Sequence, residues 1–304
     1  MGLLGLIPFE VVVNNFAKRE GCIVGICDAS PLALDTARST PFVSRDHLKR
    51  TDPAASLPGV KSIVVVGVQP KPRDFPPMPD GAGILSVLGV AEDYHVAVRA
   101  LLKKLVAELL LHTTFMHKIL VDSPTLDERA LAVRAGLGFI GRSGLVITPE
   151  FGSRFNIGLL LMDIEMKSSS GADNAGYISP ASGKGMPVAI CPPDCKNCVK
   201  ACPGGALSVP GGLDAARCIS YLTQKDDLTP EESALIGCRL YGCDVCQDVC
   251  PFNRPQPVAW ANPEDWLSMS DAELVKVYGH TAMLWRGTAL LKRNAKIAIS
   301  YTHK

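Results

Sequence analysis

The sequence predicts a mixed α+β protein: an N-terminal domain of strands alternating with helices, a cysteine-bearing domain, and a short C-terminal helical segment. Three observations carry this. Apolar runs of strand length alternate with stretches of helical periodicity over residues 1–165. Nine of the eleven cysteines fall between Cys191 and Cys250. Residues 262–268, 271–278 and 287–300 then read as helices.

Composition agrees with a folded chain. Of 304 residues, 47% are hydrophobic and 20% charged, which excludes a disordered protein. A net charge of +1 exerts no global pull toward nucleic acid. No apolar run approaches the roughly 20 residues that span a bilayer. The start, MGLLGLIPFE, lacks a basic stretch, a long apolar core and a cleavage site, so no secretory signal is visible. A soluble cytoplasmic protein is expected.

In order, residues 8–19 read as a helix with one apolar side. Residues 22–28 (CIVGICD) and 62–68 (SIVVVGV) read as buried strands, with Cys22 and Cys27 as small core hydrophobes. The proline-rich stretch 70–82 is loop. Asp93-Tyr94-His95 opens a long helix to about residue 112, where Val96, Leu101, Leu102, Leu105, Leu109 and Leu110 repeat near helical period. A strand at 117–123 carries Asp122 at its end, and Pro124 is expected to start the next helix. Gly136 to Gly144 is a glycine-rich loop. It follows a helix, so it is no dinucleotide fingerprint; its glycines either let a flat ligand approach or turn the chain. Strands at 145–150 and 155–164 follow. Residues 167–187 are small and polar, a linker or surface insertion. The domains are therefore expected at 1–166, 191–256 and 257–304, with 167–190 as the connection.

The cysteines carry the most specific signal. Cys191-x3-Cys195-x2-Cys198-x3-Cys202-Pro203 is followed by Cys243-x2-Cys246-x3-Cys250-Pro251. Two runs, each closed by Cys-Pro, are the pattern of a bacterial two-[4Fe–4S] ferredoxin-like domain, in which the last cysteine of each run ligates the other run's cluster. One zinc ion is satisfied by four ligands, fewer than this pattern offers. Disulfides suit an oxidising compartment. Cys191, Cys195, Cys198 and Cys250 form one set; Cys202, Cys243 and Cys246 begin the other. Its fourth member is Cys218 or Cys238, and spacing alone leaves both open.

Asp122 stands where a strand gives way to a loop and a helix, a position from which a carboxylate can serve as proton donor. Capping the helix near Pro124 explains the position equally well. After Leu274 every charged residue is basic (Lys276, Arg286, Lys292, Arg293, Lys296 and Lys304), which reads as a solvated face or a phosphate-binding one.

Several motifs resemble the epoxyqueuosine reductase family. They are Asp214 to Thr223 (DAARCISYLT), Tyr241 to Asn253 (YGCDVCQDVCPFN), Val121-Asp122-Ser123, Glu128-Arg129-Ala130-Leu131 through Gly138, and Phe151-Gly152-Ser153. Asp93-Tyr94-His95, Arg50 with Asp52-Pro53, and Arg293-Asn294-Ala295 fit as well. The similarity spans about residues 45 to 300. It implies a cytosolic oxidoreductase with cobalamin and two [4Fe–4S] clusters, related to reductive dehalogenases, which reduces epoxyqueuosine to queuosine in tRNA. The N-terminal domain would then be a nitroreductase-like α/β cobalamin-binding domain. Electrons would pass through the clusters to cobalt from a flavodoxin- or ferredoxin-type reductant, in a monomer.

The resemblance implies Asp122 as the catalytic proton donor and Cys218 as the remaining cluster ligand. It places Arg50, Val146, Ile157, Ser220 and Asp244 around cobalamin. The chain departs from the family pattern in the three residues between Cys191 and Cys195, in Leu88 to Glu92, and in Arg142 where a lysine is usual. The C-terminal segment corresponds to about one helical repeat, where many members carry a longer tRNA-binding array. Two other readings fit the residues: a cobalamin-dependent reductase of a small organic substrate such as a halide, and a cobalamin-free electron carrier.

Overall fold

A computed structural model describes residues 8–33, 42–71, 74–169, 191–207 and 212–302. The chain forms two compact units, one from Met1–Gln69 and His95–Pro193, the other from Pro70–Tyr94 and Asp194–Lys304.

The first unit is built on a four-stranded sheet. It contains α1 (Phe9–Glu20), β1 (Ile23–Asp28), α2 (His47–Thr51) and β2 (Ser62–Val68). Two elements of the second unit, β3 (Gly83–Leu85) and α3 (Val87–Val90), interrupt it in sequence. It resumes with α4 (Tyr94–Leu109), β4 (His117–Val121), α5 (Glu128–Arg134), a short hairpin of β5 (Phe139–Ile140) and β6 (Val146–Ile147), and β7 (Asn156–Met162). Strand order is β1-β2-β7-β4, antiparallel throughout. The unit is thus α+β, with β1 returning to β2 as a neighbouring antiparallel strand.

The apolar runs of β2 and β7 are explained by cover on both faces. With period two, Ile63, Val65, Leu159 and Leu161 meet Leu131, Val133 and Leu137 of α5 and its exit. On the opposite face Gly158 lies so close to Val98 and Leu102 of α4 that a Cβ there would stand 2.5 Å from Val98 Cγ1. A glycine in mid-strand here is a helix docking site. Cys27 is in this core, and burial pushes the thiols of Cys22 and Cys27 up to about 11 and about 12. Both behave as the apolar residues they were read to be.

Residues 167–169, expected to begin a linker, bind the sheet. Ser169 N donates to Ile26 O at 2.9 Å, Ile26 N donates to Ser169 Oγ at 3.0 Å, and Ser168 Oγ donates to Ile26 O at 3.0 Å. The rest of that expected connection, 170–190, lies outside the described residues.

In the second unit come α6 (Asn197–Ala201), α7 (Ile219–Leu222), α8 (Pro230–Ile236), β8 (Arg239–Tyr241), α9 (Val245–Asp248), β9 (Ala259–Ala261), α10 (Pro263–Ser268), α11 (Asp271–Tyr278) and α12 (Thr288–Thr302). β3 lies between β8, which it meets in parallel, and β9, which it meets antiparallel. Leu85, Val90, Leu240, Tyr241, Trp266, Leu274, Met283, Leu291 and Ala295 share one core. The C-terminal helices are therefore no separate segment; they complete the core of the cysteine-bearing unit, together with residues 83–90 from the N-terminal half. Thr229 and Ser270 open α8 and α11 with reciprocal capping boxes. Among the described residues no helix is long and apolar enough to cross a membrane.

Candidate active site and thiol cradle

Asp122 follows β4 directly. Its φ of +48° makes it the one non-glycine residue in the left-handed region among those described. That conformation costs a side-chain-bearing residue free energy and gathers at functional sites. Its carboxylate reaches His95 at the start of α4, with Nε2 to Oδ2 at 3.3 Å, and its side chain is 62% exposed.

The helix that follows starts later than expected. Pro124 stays in the loop, and α5 is capped by Asp127, whose Oδ1 accepts from Arg129 N at 3.1 Å and Ala130 N at 3.2 Å. The capping explanation of Asp122 thereby falls away. The loop is held from below by Glu128, whose Oε1 accepts from Ser123 N at 3.0 Å. Burial pushes the Glu128 carboxyl up to about 8. The Ser123 N–H opposes this, the charges of Asp122 and Asp127 add to it, and His95 opposes it. Glu128 thus holds its proton at neutral pH. In the sequence Glu128 stands out only as the start of Glu128-Arg129-Ala130-Leu131, five residues beyond Ser123.

Arg50 is 6% exposed; its guanidinium stands 3.9 Å from Asp127 Oδ2, and its carbonyl accepts from Asp127 N. Val146 is buried in the core of the first unit and Ile157 packs at its margin. The glycine-rich loop packs on itself: a Cβ on Gly138 would lie 2.0 Å from Ile147 O, and Gly136 and Gly144 turn the chain with φ of +81° and +77°. Arg142 donates to Pro193 O at 2.7 Å, and its buried Nε finds no acceptor among the described residues, a donor suited to a polar ligand.

In the second unit, Cys218 caps the N-terminus of α7, and Cys243 and Cys246 flank the start of α9. Burial pushes all three thiols up. Cys202 adds to the shift at Cys218, Cys218 adds to it at Cys243, and Cys243, Cys218 and Cys198 add to it at Cys246. Half-buried sulfurs that feel one another's charge repel as thiolates. They need a cationic centre to hold the charge, and thiolate-bound iron meets that need. Among the described residues no three ligand-type side chains close on a single ion; a four-iron cluster keeps its thiolates wider apart than one ion does. The Cys238 carbonyl accepts from Ile84 N, at the edge of the small sheet. Ser220 O accepts from Thr223 Oγ1 at 3.0 Å, and Asp244 Oδ2 accepts from Val87 N at 2.6 Å.

The basic C-terminal stretch is mostly engaged. Lys292 pairs with Asp271 at 2.8 Å and Arg286 with Asp226. Arg293 is half-buried and spreads over the carbonyls of Leu222, Thr223, Lys225 and Asp226. The phosphate-binding reading of Arg293 is thereby corrected: its donors serve backbone. Lys276 and Lys296 are exposed, and Lys304 lies outside the described residues.

Two cysteine runs of this spacing, in a chain whose α+β unit carries a strained carboxylate, define an iron–sulfur oxidoreductase. A model described as a 4Fe-4S double cluster binding domain matches residues 191–253, and one described as epoxyqueuosine reductase QueG, DUF1730, matches residues 50–123. The epoxyqueuosine reductase of Staphylococcus aureus is 35% identical over 279 residues, 86% of this chain and 69% of that protein. The one from Bacillus subtilis is 33% identical over 278 residues, 86% of this chain and 68% of that protein. The chain belongs to the epoxyqueuosine reductase family, whose members depend on two [4Fe–4S] clusters and cobalamin. Among solved structures, an epoxyqueuosine reductase with a tRNA-Tyr epoxyqueuosine-modified tRNA stem loop superposes with a TM-score of 0.82 at 30% identity, covering 96% of this chain and 81% of that one. The Bacillus subtilis enzyme, with its catalytic aspartate loop swung out of the active site, gives 0.81 at 30%, covering 96% and 81%.

Proposed function

We propose that this chain removes the epoxide oxygen of epoxyqueuosine in tRNA, giving queuosine, with Asp122 as the proton donor. The observation that carries the residue assignment is Asp122 itself: a carboxylate in a costly backbone conformation, at a strand end, beside His95 and next to Ser123, whose N–H the half-buried Glu128 carboxyl holds. Loss of an epoxide oxygen as water consumes two electrons and two protons. Two iron–sulfur clusters are suited to deliver electrons singly, drawn from a flavodoxin- or ferredoxin-type protein.

Cys191, Cys195, Cys198 and Cys250 are assigned to one cluster, and Cys202, Cys218, Cys243 and Cys246 to the other. The charge of Cys202 felt at Cys218, and that of Cys218 felt at Cys243 and Cys246, support Cys218 as the fourth ligand. Arg50, Val146, Ile157, Ser220 and Asp244 are assigned to cobalamin, and the buried Nε of Arg142 suits its amide-bearing rim. When bound, cobalamin supplies a cobalt centre that takes up electrons and engages the substrate carbon. The chain's own residues do the rest. His95 orients the Asp122 carboxyl, Asp122 gives its proton to the oxygen as it leaves carbon, and Glu128 keeps the loop backbone in place through Ser123 N–H. Asp127 holds Arg50 and starts the helix behind them.

The test is anaerobic reconstitution with iron, sulfide and hydroxocobalamin, gel filtration, and reaction with an epoxyqueuosine-containing tRNA stem loop. About eight irons per chain, retained cobalt and queuosine product support the proposal. Metal-loaded protein that leaves epoxyqueuosine untouched overturns it.

A further inference from the structure

The C-terminal helix α12 is the farthest element in sequence from the substrate-facing motifs, yet it sends two side chains to the cysteine-bearing backbone. Asn294 is fully buried. Its Nδ2 donates to Thr223 O and to Leu240 O, each at 2.8 Å, and its Oδ1 accepts from Arg293 at 2.8 and 3.1 Å. Arg293 adds its bonds to four carbonyls over Leu222 to Asp226. Thr223 is also fully buried, and its hydroxyl accepts from Gly242 N at 2.9 Å while donating to Ser220 O at 3.0 Å.

These bonds join two pieces of chain, each adjacent to a cysteine. Thr223 ends α7, the single turn that Cys218 caps, and Gly242 is the residue before Cys243. α7 is too short to fix its own direction by propagation. Its two ends are instead set by Cys218 and by the group at Thr223. Asn294 grips both sides at once, taking the Thr223 carbonyl on one and the Leu240 carbonyl on the other. An asparagine amide with all its bonding capacity used in a water-free site tolerates little displacement.

We propose that Thr223, Arg293 and Asn294 form a clamp that sets the spacing of Cys218 from Cys243, and so positions the thiolates of the second cluster. The proposal rests on the reading of these cysteines as ligands of one cluster. Thr223, Arg293 and Asn294 are positioning residues: they act through the backbone and touch no iron. This also gives Arg293-Asn294, a motif far from any cysteine in sequence, a physical task.

The experiment compares the full chain and its T223V, T223S, N294A and C218A variants after anaerobic reconstitution with iron and sulfide. It measures iron per chain, the rate of iron loss to a chelator, and the electron paramagnetic resonance spectrum of the reduced protein. T223V keeps the side-chain shape but leaves Gly242 N–H without its acceptor; T223S restores the hydroxyl. T223V and N294A are expected to hold their second cluster about 10- to 100-fold more weakly. Both should show an altered spectrum, with T223S near the parent and C218A losing that cluster. Parent-like iron retention and spectrum in T223V and N294A, while C218A loses iron, overturns the clamp alone. Full iron in C218A would instead overturn the ligand reading. If N294A does not fold, the T223V and T223S pair decides.

Discussion

Asp122 stands on an exposed loop, with a backbone angle that side chains avoid, and His95 reaches it at 3.3 Å. The backbone around Cys218 and Cys243 is crossed by buried bonds from the Thr223 side chain at the end of α7 and from Asn294 of α12. Under the proposed function the two regions serve one reaction but make opposite demands. A residue that gives a proton to a bulky substrate must let that substrate in and then meet it. A ligand that holds a redox centre gains from never moving, because any rearrangement adds to the cost of each electron passed. The loop carries strain and few bonds; the cradle carries many bonds and, among the described residues, no strained non-glycine backbone.

The sharpest way to break this contrast is Asp122→Asn. Asparagine tolerates the left-handed conformation, so the fold should persist while turnover falls by about 100-fold or more, the usual contribution of a positioned general acid. Single-turnover rates with the modified stem loop, alongside a thermal melt, check both halves. Next comes Asp127→Ala, which removes the α5 cap and a carboxylate 3.9 Å from buried Arg50. We expect a loss of about 2 kcal/mol in urea unfolding. A loss confined to the cap would be about 1 kcal/mol and would mean that Arg50 is held by other groups.

Glu128 offers a test by pH. Its carboxyl sits at about 8 in the fold against an ordinary 4.5, so the folded chain holds the extra proton between those values. Stability from this group is complete below about 4.5 and is lost as pH rises toward 8. Its slope reaches at most about 1.4 kcal/mol per pH unit. Glu128→Gln keeps an acceptor for Ser123 N–H without the titration, so its urea midpoint should change less between pH 5.5 and 8 than the parent's. Equal slopes would show that the carboxyl is ionised throughout. The smallest effect is expected from Ser169→Ala, about 1 kcal/mol from one lost bond to Ile26.

Much of this was legible in the sequence. After their first residues, Ser62 and Asn156, the β2 and β7 runs are apolar because helices cover both faces, so the strands announced themselves. The cysteine runs did the same, since cluster ligation fixes their spacing. What could not be read was contact across long separations. Gly83–Leu85 is three residues long, too short for a periodic signal, and it becomes a strand only against Arg239 and Tyr241 on one side and Ala259 to Ala261 on the other. Arg293 and Lys292 read as free cations because Leu222 to Asp226 and Asp271, their partners, lie 20 to 70 positions away. The α5 start was misplaced by local rules: Pro124 is a good first residue for a helix, but the strained turn at Asp122 delays it until Asp127 can cap.

The three serine contacts along β1 bear on the protein's life in concentrated solution. An edge strand with unspoken-for amides and carbonyls is a template for any other extended chain, and sheets left open in this way nucleate aggregates. Here the chain's own residues 168 and 169 occupy Ile26, while the opposite border, β4, begins with exposed His117 and Lys118. One border is roofed and the other is made uninviting by charge and polarity, so the sheet that carries Asp122 at its rim stays four strands wide.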